Sequence, residues 1–472
     1  MTATSTTRVF AAVFLTFNFS FASAMSIDEY LSEVQKQNKL IESYRVSTEA
    51  SAERKEAGDV ALAPVLTAGY TLTTDKSQPS SVADQRDSEV ASLGVAKKFS
   101  TGTSVSLLAQ TNKFTYTAPV TAGNNGFSTG NLGVTLTQSL WKDFFGSATR
   151  LRRQRESAVN KTETLNLDLQ RRNLLIQAES DFWDYMVALE DLKFKQANLE
   201  RAKKLQNWTA NRVNNGISDQ ADLLQVRALT SLRELELSNA QDELKAREVK
   251  IRENLALDAN APTPALSADM SDQRPYLQTL ASRKNFVRID SYISTLDARI
   301  RKTSAEEVQD SLRPDLLLNG QYKTSSYDLI HSEMQKNIAK TDRPVTSVGL
   351  TLSWMFGASA VSSQLSAARK EALSAQYRAE QSLLAGQNAW AEHLRKYELT
   401  SQNVKILEKL AQLQKDRSRE QQSMFTKGRT ITANVVDAET DSAEAEVNYL
   451  KAKAGLRKLE AATQLYMQVE DL

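Results

Sequence analysis

The chain contains no cysteine and little histidine, proline or glycine: it has two histidines, eight prolines and sixteen glycines among 472 residues. The absence of cysteine excludes disulfide bonds and thiol lipidation, so any attachment to a membrane must come from the fold. Two histidines, His331 and His393, cannot form a histidine-rich metal site. The sequence also has no glycine-rich phosphate loop, nucleophile elbow or metal-ligand cluster, which an enzyme of the common classes would need. It therefore predicts no cofactor, no metal and no catalysis.

The charge balance and the hydrophobic runs narrow the class further. The formal net charge is +2, so the composition gives no reason to expect a nucleic-acid partner. Ala, Leu, Glu, Gln, Lys and Arg fill long segments, a mixture typical of long helices or coiled coil, and the charged 25% of residues fits solvated helix faces. Beyond the N-terminal segment we find no stretch of 18 apolar residues, so the sequence predicts no transmembrane helix.

The first 24 residues have the pattern of an export signal. Arg8 provides a positive start, an apolar run of 13 residues follows over 9–21, and Ala22-Ser23-Ala24 is a small-x-small cleavage site. The apolar run is too short to span a bilayer as a helix. We expect the mature chain to begin at Met25; an uncleaved anchor is the alternative.

Two segments of the chain have nearly the same sequence. Leu132–Thr137 (LGVTLT) recurs as Val348–Ser353 (VGLTLS), and each copy is followed by a tryptophan, Trp141 or Trp354, and then by a long helix. In both copies apolar residues alternate with Gly, Thr or Ser, which gives a strand one apolar and one polar face. Such a strand suits a wall between lipid and water. Joined to a very long helix, it favours a conduit over an enzyme.

Hydrophobic periodicity and proline and glycine breaks divide the mature chain into two repeats. The first repeat, 25–257, is predicted to contain a helix over 25–62, strands over about 64–75, 90–99, 104–112 and 131–141, a long helix over 148–214 and a helix over 219–257. A linker with prolines follows over 258–274. The second repeat, 275–472, is predicted to contain a helix over 275–311, strands over about 314–324 and 346–356, a long helix over 359–426 and a helix over 433–468, with a polar loop over 325–343.

The spacing of matching landmarks supports a duplication. Equivalent positions are 250, 216 and 212 residues apart for the pairs Pro64 and Pro314, Gly133 and Gly349, and Gly216 and Gly428. The first interval exceeds the second by 34 residues, so the first repeat carries an insertion that the second lacks. The predicted strands 90–99 and 104–112 lie in this insertion.

The inserted strand pair allows two arrangements. The short turn Ser100–Thr103 and the long flanking loops, 75–88 and 113–129, match the short periplasmic turns and long external loops of outer membrane barrels, in which case each chain provides six strands. Alternatively, the pair is an external hairpin above a barrel with four strands per chain. Lys97 on the apolar face weakens the first of the two strands. The sequence favours neither arrangement.

A sheet inside a membrane must close, because each unpaired edge group in lipid costs several kcal/mol. About eight strands is the practical minimum for a barrel, and one chain supplies four or six. We therefore expect identical copies to share one barrel. The predicted long helix over 148–214 would extend for roughly 100 Å and continue the wall beyond the membrane.

Two helix turns add to the strand-to-helix units, of which Leu136–Trp141 (LTQSLW) is the most specific part. One turn is Arg212–Gly216 (RVNNG), followed by Asp222-Leu223-Leu224; the other is Phe425–Ile431 (FTKGRTI), followed by Asn434–Ala438 (NVVDA). Together these segments resemble the TolC-like outer membrane factors, the trimeric channel-tunnels of tripartite efflux pumps and type I secretion systems. The resemblance covers nearly all of the mature chain.

The resemblance implies an internally duplicated α+β membrane channel-tunnel. A transmembrane antiparallel β-barrel would be shared by a homotrimer and continued by a long periplasmic α-helical coiled-coil barrel. The implied location is the outer membrane of a Gram-negative bacterium, with a large periplasmic part. The implied partners are a periplasmic adaptor (membrane fusion) protein, an inner-membrane transporter of the RND, ABC or MFS type, and outer membrane lipid. The implied function is a passive export duct, gated at its periplasmic tip, whose cargo the sequence does not indicate.

The resemblance also assigns candidate site residues. The two turns would dock the adaptor through Asn215, Gly216, Ile217, Lys427, Gly428 and Arg429, although each glycine also suits a helix cap. In the family, two acidic positions three residues apart ring the closed pore, and here they are Asn434 and Asp437, which the spacing places on one helix face. Asn434 departs from the usual acid, which leaves one charged ring. Asp222 matches a position that latches neighbouring helices near the tip.

Aromatic residues near the strand ends suit a belt at the membrane interfaces. The candidates are Tyr70, Trp141, Phe144, Tyr322, Trp354 and Phe356. The alternative function is a periplasmic coiled-coil adaptor or structural protein without a pore. That alternative explains the long helices but not the strands with one apolar face, and for Asp437 it leaves a solvated carboxylate.

Overall fold

The computed structural model describes residues 24–76, 83–119, 125–267, 286–356 and 359–468. The chain forms two compact units, and each draws on both halves of the sequence. Unit 1 comprises Met1–Ser43, Arg171–Lys284 and Ala391–Leu465; unit 2 comprises Tyr44–Gln170, Asn285–Trp390 and Tyr466–Leu472. The predicted export signal, up to residue 23, lies outside the described residues.

Helices make up most of the described chain. They are α1 (Ile27–Gln37), α2 (Lys39–Ala57), α3 (Ser147–Asn214), α4 (Gln220–Asn254), α5 (Ile289–Ser311), α6 (His331–Lys336), α7 (Ser359–Thr426) and α8 (Thr432–Ala462), with short 3-10 helices at Gly58–Leu62, Phe144–Gly146 and Thr463–Leu465. The two long helices, α3 and α7, have 68 residues each because no proline interrupts them. No helix in the described part of the chain combines the length and the apolarity that a bilayer crossing requires.

The strands form one large sheet and one small one. The strands are β1 (Val65–Asp75), β2 (Ala83–Lys98), β3 (Thr103–Pro119), β4 (Gly126–Ser139), β5 (Phe286–Arg288), β6 (Asp315–Lys323), β7 (Ser326–Asp328), β8 (Val345–Ser353) and β9 (Tyr466–Gln468). The large sheet, in unit 2, has the strand order β1-β2-β3-β4-β6-β8, with β7 paired to one end of β4. All of its pairings are antiparallel. The small sheet pairs β5 with β9.

The helix predicted over 25–62 is in fact divided. Asn38 leaves the helical conformation with ψ of 118°, and its side-chain oxygen accepts a hydrogen bond from the Leu40 amide at 3.0 Å. Its side-chain amide donates to the Asn254 carbonyl at 3.1 Å. A short polar side chain that bonds locally competes with the helix, which ends α1 and starts α2 here. The last residues of the predicted helix, 58–62, form a 3-10 helix.

Two other predicted helices are shorter than expected because their ends pair as a small sheet. The helix predicted over 275–311 begins at Ile289 within the described residues, and the preceding residues 286–288 form β5. The helix predicted over 433–468 ends at Ala462, and its last residues form β9. In unit 2, Trp390 lies between the two strands, with ring centroids 4.9 Å from Phe286 and from Tyr466. Burial of these aromatic rings outweighs helix continuation.

The polar loop predicted over 325–343 contains two further elements. β7 pairs with β4, and the one-and-a-half turns of α6 place Met334 against the sheet, where it is fully buried. The Ser326 hydroxyl donates to the Met334 carbonyl at 3.0 Å, and the Thr324 hydroxyl donates to the Ile338 carbonyl at 2.5 Å. Local side-chain bonds of this kind, which hydrophobic periodicity does not report, fold the segment back onto β4.

The register of the large sheet places apolar side chains on one face of all six principal strands. Leu93 of β2, for example, lies opposite Ala68 of β1 and Ala109 of β3, and Ala109 lies opposite Leu132 of β4. We call this the apolar face. Its members include Leu66, Ala68, Tyr70, Leu72, Ala91, Leu93, Val95, Val105, Leu107, Ala109, Leu132, Val134, Leu136, Leu316, Leu318, Tyr322, Val348, Leu350 and Leu352.

The opposite face, which we call the polar face, is formed mainly by Thr, Ser, Gly, Asn and Gln. Its members include Thr67, Gly69, Thr71, Ser92, Gly94, Ser104, Ser106, Gln110, Thr135, Thr137, Asn319, Gln321, Ser347, Gly349 and Thr351. Most large residues of the apolar face are exposed in the single chain, and Val348 reaches 76%. An apolar surface of this extent marks a binding or lipid-contact surface.

The turn between β2 and β3 packs tightly against the start of α3. Gly146, at φ +81°, approaches the turn so closely that a Cβ would overlap the carbonyl oxygen of Ser100. Gly102, at φ +73° within the turn, would place a Cβ 2.9 Å from the Asp143 carbonyl oxygen. Lys98, at the end of β2, donates to the Asp143 carboxylate at 2.9 Å. We call this edge of the sheet, where β4 and β8 lead toward α3 and α7, the helix-side edge.

Substitution of Gly146 by alanine is expected to destabilise unit 2. The side chain would combine a left-handed backbone with overlap of the Ser100 carbonyl, a cost of about 2–4 kcal/mol. Guanidinium unfolding in detergent, followed by circular dichroism, would measure it. Gly349→Ala is the matched control, because nothing lies within 4 Å of a Cβ there. Equal unfolding midpoints for the two variants would contradict the close packing.

Candidate functional site

The first candidate docking turn ends α3 in unit 1. The Gly216 amide donates to the Val213 carbonyl at 2.9 Å, and the Ile217 amide donates to the Arg212 carbonyl at 2.8 Å. These two bonds form a Schellman motif, in which the residue after the helix takes a left-handed conformation. Gly216 has φ +73°, so glycine satisfies the backbone requirement. Ile217 is left 63% exposed, an apolar side chain at the surface of the turn.

The second candidate turn, at the end of α7 in the same unit, has the same geometry. The Gly428 amide donates to the Phe425 carbonyl at 3.0 Å, and the Arg429 amide donates to the Met424 carbonyl at 2.8 Å. Gly428 also has φ +73°. All six predicted docking residues are exposed: Asn215, Gly216, Ile217, Lys427, Gly428 and Arg429.

A packed contact joins the two turns. The Arg212 guanidinium lies 5.1 Å from the centre of the Phe425 ring, and it donates to the Phe425 carbonyl at 3.4 Å. Phe425 is 2% exposed and belongs to a small core with Leu205, Val226 and Val435. Cation–π contact and burial therefore hold the ends of α3 and α7 together.

The predicted gate residues lie on the exposed face of α8. Asn434 and Asp437 are both exposed, one turn apart, whereas Val435 and Ala438 between and after them are buried. The Asn434 amide donates to the Thr430 hydroxyl at 3.1 Å. Among the described residues, the Asp437 carboxylate forms no ion pair. It is therefore a free charge on the solvent side of the helix.

The buried side of α8 carries a polar network that sequence reasoning missed. The Glu439 carboxylate accepts from Arg201 at 2.8 Å, from the Ser418 hydroxyl at 2.9 Å and from Gln422. It thereby bonds α8 to α3 and α7. Charged hydrogen bonds that satisfy a buried carboxylate are strong, and removal of a partner leaves it uncompensated. The available signal was the spacing: Glu439 follows Val435 by four residues, within the buried stripe of the helix.

A second ionic contact ties α8 to α4. The Arg233 guanidinium donates to the Thr440 hydroxyl at 3.1 Å and to the Glu236 carboxylate at 2.8 Å, and Lys195 donates to Glu236 at 3.1 Å. Burial of the Glu236 carboxyl opposes its ionisation, but the hydrogen bonds from Arg233 and Lys195 outweigh that effect and lower its pKa. Glu236 is therefore charged at neutral pH.

Asp222 lies in the first turn of α4, where a carboxylate faces the positive end of the helix dipole. It is half-buried, and its amide donates to the Asp219 carbonyl at 3.1 Å. No described side chain of the same chain forms a hydrogen bond with its carboxylate. Within one chain its position is thus that of a helix-terminus residue, away from the Glu439 network.

The predicted interfacial aromatics are all exposed, with four of them at the helix-side edge of the sheet: Tyr70, Trp141, Phe144, Tyr322, Trp354 and Phe356. The Lys142 amide donates to the Pro314 carbonyl at 3.1 Å, which places Trp141 beside the start of β6. Trp354 directly follows the residue that pairs with Asp315 of β6, so the two tryptophans lie at the same edge. Tyr70 and Tyr322 lie within β1 and β6.

Substitution of either turn glycine by alanine is expected to loosen its turn without a steric clash. Nothing lies within 4 Å of a Cβ at Gly216 or Gly428, so only the left-handed backbone opposes alanine, by about 1 kcal/mol. Hydrogen exchange of the turn amides should become several-fold faster. Gly455→Ala, inside α8 and equally unobstructed, should instead slow exchange in its helix. Unchanged exchange at both turns would contradict the capping role.

No protein-family model matches the chain, and no curated protein matches its sequence. Solved structures do match. The outer-membrane channel OprN is 16% identical, with a TM-score of 0.64, and the match covers 93% of this chain and 89% of that chain. CusC, whose structures concern folding and transmembrane channel formation, is 12% identical, with a TM-score of 0.66 and coverage of 93% and 91%. The open-state MtrE outer membrane channel of Neisseria gonorrhoeae is 14% identical, with a TM-score of 0.64 and coverage of 93% and 88%.

The similarity extends over almost the whole of each matched chain, and the shared feature is the three-dimensional arrangement rather than the sequence. The chain therefore has the fold of the TolC-like outer membrane channels, which confirms at the level of the fold the resemblance drawn from its strand-to-helix units and helix turns.

Proposed function

We propose that the chain is a member of the TolC-like outer membrane factors and forms a trimeric export channel in the outer membrane. One observation carries the proposal: the apolar face continues without interruption through all six principal strands, opposite a face of Thr, Ser, Gly and Asn. In a channel wall the first face contacts lipid and the second lines a water-filled pore. A soluble protein would have to cover the apolar face with another layer.

The two ends of the sheet call for identical copies. β1 and β8 are the terminal strands in the sheet order, so one edge of each has no partner among the described residues of the chain. Unsatisfied amide and carbonyl groups in lipid cost several kcal/mol each, so β1 of one copy would pair with β8 of the next. The number of copies, three, is taken from the resemblance.

A gate at the turn end of α8 is the second part of the proposal. Three copies of Asp437 around a narrow axis would repel one another and attract cations. The Glu439 and Arg233 contacts on the buried side of α8 would hold the helix while Asp437 points to the pore. Asn434 would add a neutral polar ring beside it, and Asp222 would contribute to contacts between neighbouring helices.

The exposed turns are the proposed docking surface for a periplasmic adaptor. Ile217 and Ile431 offer apolar contacts, and Lys427 and Arg429 offer positive charge beside them. The channel would then be the exit duct of a tripartite efflux pump or a type I secretion system, served by an inner-membrane transporter of the RND, ABC or MFS type. The N-terminal segment would direct export, and the long helices would form a large periplasmic part. The channel would be passive and would need no enzymatic site or cofactor.

A periplasmic coiled-coil adaptor without a pore remains the competing function. The exposed apolar face argues against it, because an adaptor has no use for a sheet with a lipid-type surface. The two functions differ in where the protein resides and in whether it conducts ions.

A pair of adjacent substitutions in β4 tests the membrane wall. Val134→Asp puts a charge on the apolar face at a cost of up to about 2–4 kcal/mol in lipid, so outer membrane insertion should fall sharply. Thr135→Asp, on the polar face, should insert normally. The measurement is retention of full-length protein in carbonate-washed outer membranes. Release of the unmodified protein by the wash as a water-soluble monomer would rule out the channel.

Asp437→Ala is expected to leave trimer assembly intact and to raise the basal conductance in planar bilayers, because the charged ring is lost while the buried side of α8 is unchanged. Asn434→Asp is the complementary variant: a second acidic ring should strengthen block by multivalent cations several-fold. If Asp437→Ala leaves both conductance and cation block unchanged, Asp437 has no part in the gate.

A further inference from the structure

The inserted strands β2 and β3 are continuous with the rest of the large sheet. All residues of β1 pair with β2, and β3 pairs with β4 from Thr103↔Gln138 to Thr115↔Gly126. We infer that this hairpin is part of the channel wall, so that each chain contributes six strands and the exit is wider than in relatives with four strands per chain. The inference rests on the proposed function, because a wall requires a membrane channel.

The faces of the hairpin agree with those of its neighbours. On its apolar face, Leu93 and Leu107 fall in line with Ala68 and Val134. On its polar face, Ser92 and Ser106 fall in line with Gly69 and Thr135. A one-residue slip would reverse every side chain, so the agreement across both junctions is specific to a shared wall. A hairpin held above a barrel has no need of it.

The charged residues on the apolar face lie toward the ends of the two strands. Glu89 and Lys97 flank the uncharged segment of β2, and eight residue steps between them span about 26 Å along the strand. Strand tilt reduces this to roughly 20 Å across the membrane, close to the apolar band of outer membrane barrels once long side chains reach outward. Lys113 pairs with Glu89 at 2.8 Å, and Lys97 lies 5.3 Å from the Phe99 ring.

The turn of the hairpin fixes its height in the sheet. Ser100–Thr103 reaches the helix-side edge, where Gly102 and Gly146 are in close approach and Gln138 of β4 donates to the Thr101 carbonyl at 3.3 Å. The hairpin therefore runs along β4 to the edge at which β4 itself ends. It does not stop at the far edge, as an external hairpin would.

The consequence is a change in pore size. Three chains with six strands each give an eighteen-stranded barrel in place of twelve, and barrel diameter grows roughly in proportion to strand number, so the exit would be roughly half as wide again. The polar face that the hairpin adds is formed largely by uncharged side chains between Arg86 and Lys98 on β2. Such an exit would suit bulky hydrated cargo without strong selection by charge.

Single cysteines test the position of the hairpin, because the chain has none of its own. The variants Leu93→Cys and Leu107→Cys report on the apolar face, and Ser92→Cys and Ser106→Cys report on the polar face. In outer membrane vesicles, a membrane-impermeant maleimide should label the serine positions at least tenfold faster. A small fluorophore on the leucine positions should be quenched by nitroxide-labelled lipid, and one on the serine positions should not.

The same measurement on β4 separates the two ways in which the test can fail. Val134→Cys and Thr135→Cys form the matched pair in a strand that belongs to the wall in either arrangement. If β4 keeps its contrast while all four hairpin positions label equally, the hairpin lies outside the lipid and the inference is overturned. If β4 also loses its contrast, the membrane channel itself is wrong, and the inference falls with it.

Removal of residues 83–119 tests the width. The deletion leaves β1 and β4 joined by a loop, with their apolar residues still able to share one face. In planar bilayers, the largest polyethylene glycol that enters from the outer side should have a hydrodynamic radius about a third smaller than for the full chain. An unchanged size limit in a conducting deletion variant would overturn the wider exit. If the deletion does not assemble, the cysteine variants decide the matter.

Discussion

The large sheet depends on one constraint: in lipid, every backbone amide and carbonyl must find a partner within protein. The register satisfies this constraint along β1, β2, β3, β4, β6 and β8 while it keeps one face apolar and the other polar. Both properties come from the same alternation, because side chains on a strand point to opposite sides with a period of two. The need for neighbouring copies, the aromatic residues at the helix-side edge and the absence of a covering layer all follow from it.

Much of this arrangement could be predicted from the sequence, because it has a strong local signal. Strict alternation located the principal strands, and long segments without proline located α3 and α7 to within one residue. The sequence could not decide where the inserted pair lies, since alternation states which residues share a face but not which strand lies beside which. Full-length pairing of β2 with β1 and of β3 with β4 supplies that information. Lys97, which weakened the prediction, lies at a strand end, where a long side chain can leave the apolar region.

The missed features share a different physical origin. The break at Asn38, the β5–β9 pair and the Glu439 network each depend on a partner more than 20 residues away in the chain. Hydrophobic periodicity averages over one helix or strand and is blind to such partners. The site residues divide in the same way. The turn glycines were recognisable because a left-handed cap is a local requirement, whereas Arg201 and Glu439 emerged only when α3, α7 and α8 were placed side by side.

The unpaired edges of β1 and β8 also bear on how such a protein could reach its membrane. A single copy in transit would carry two open strand edges and a broad apolar surface through water, the combination most prone to irregular association between chains. Chaperones that shield strand edges would therefore be needed before assembly. Insertion and association of the copies would have to occur together, so the yield of folded channel would depend on how many chains arrive at the same place at once.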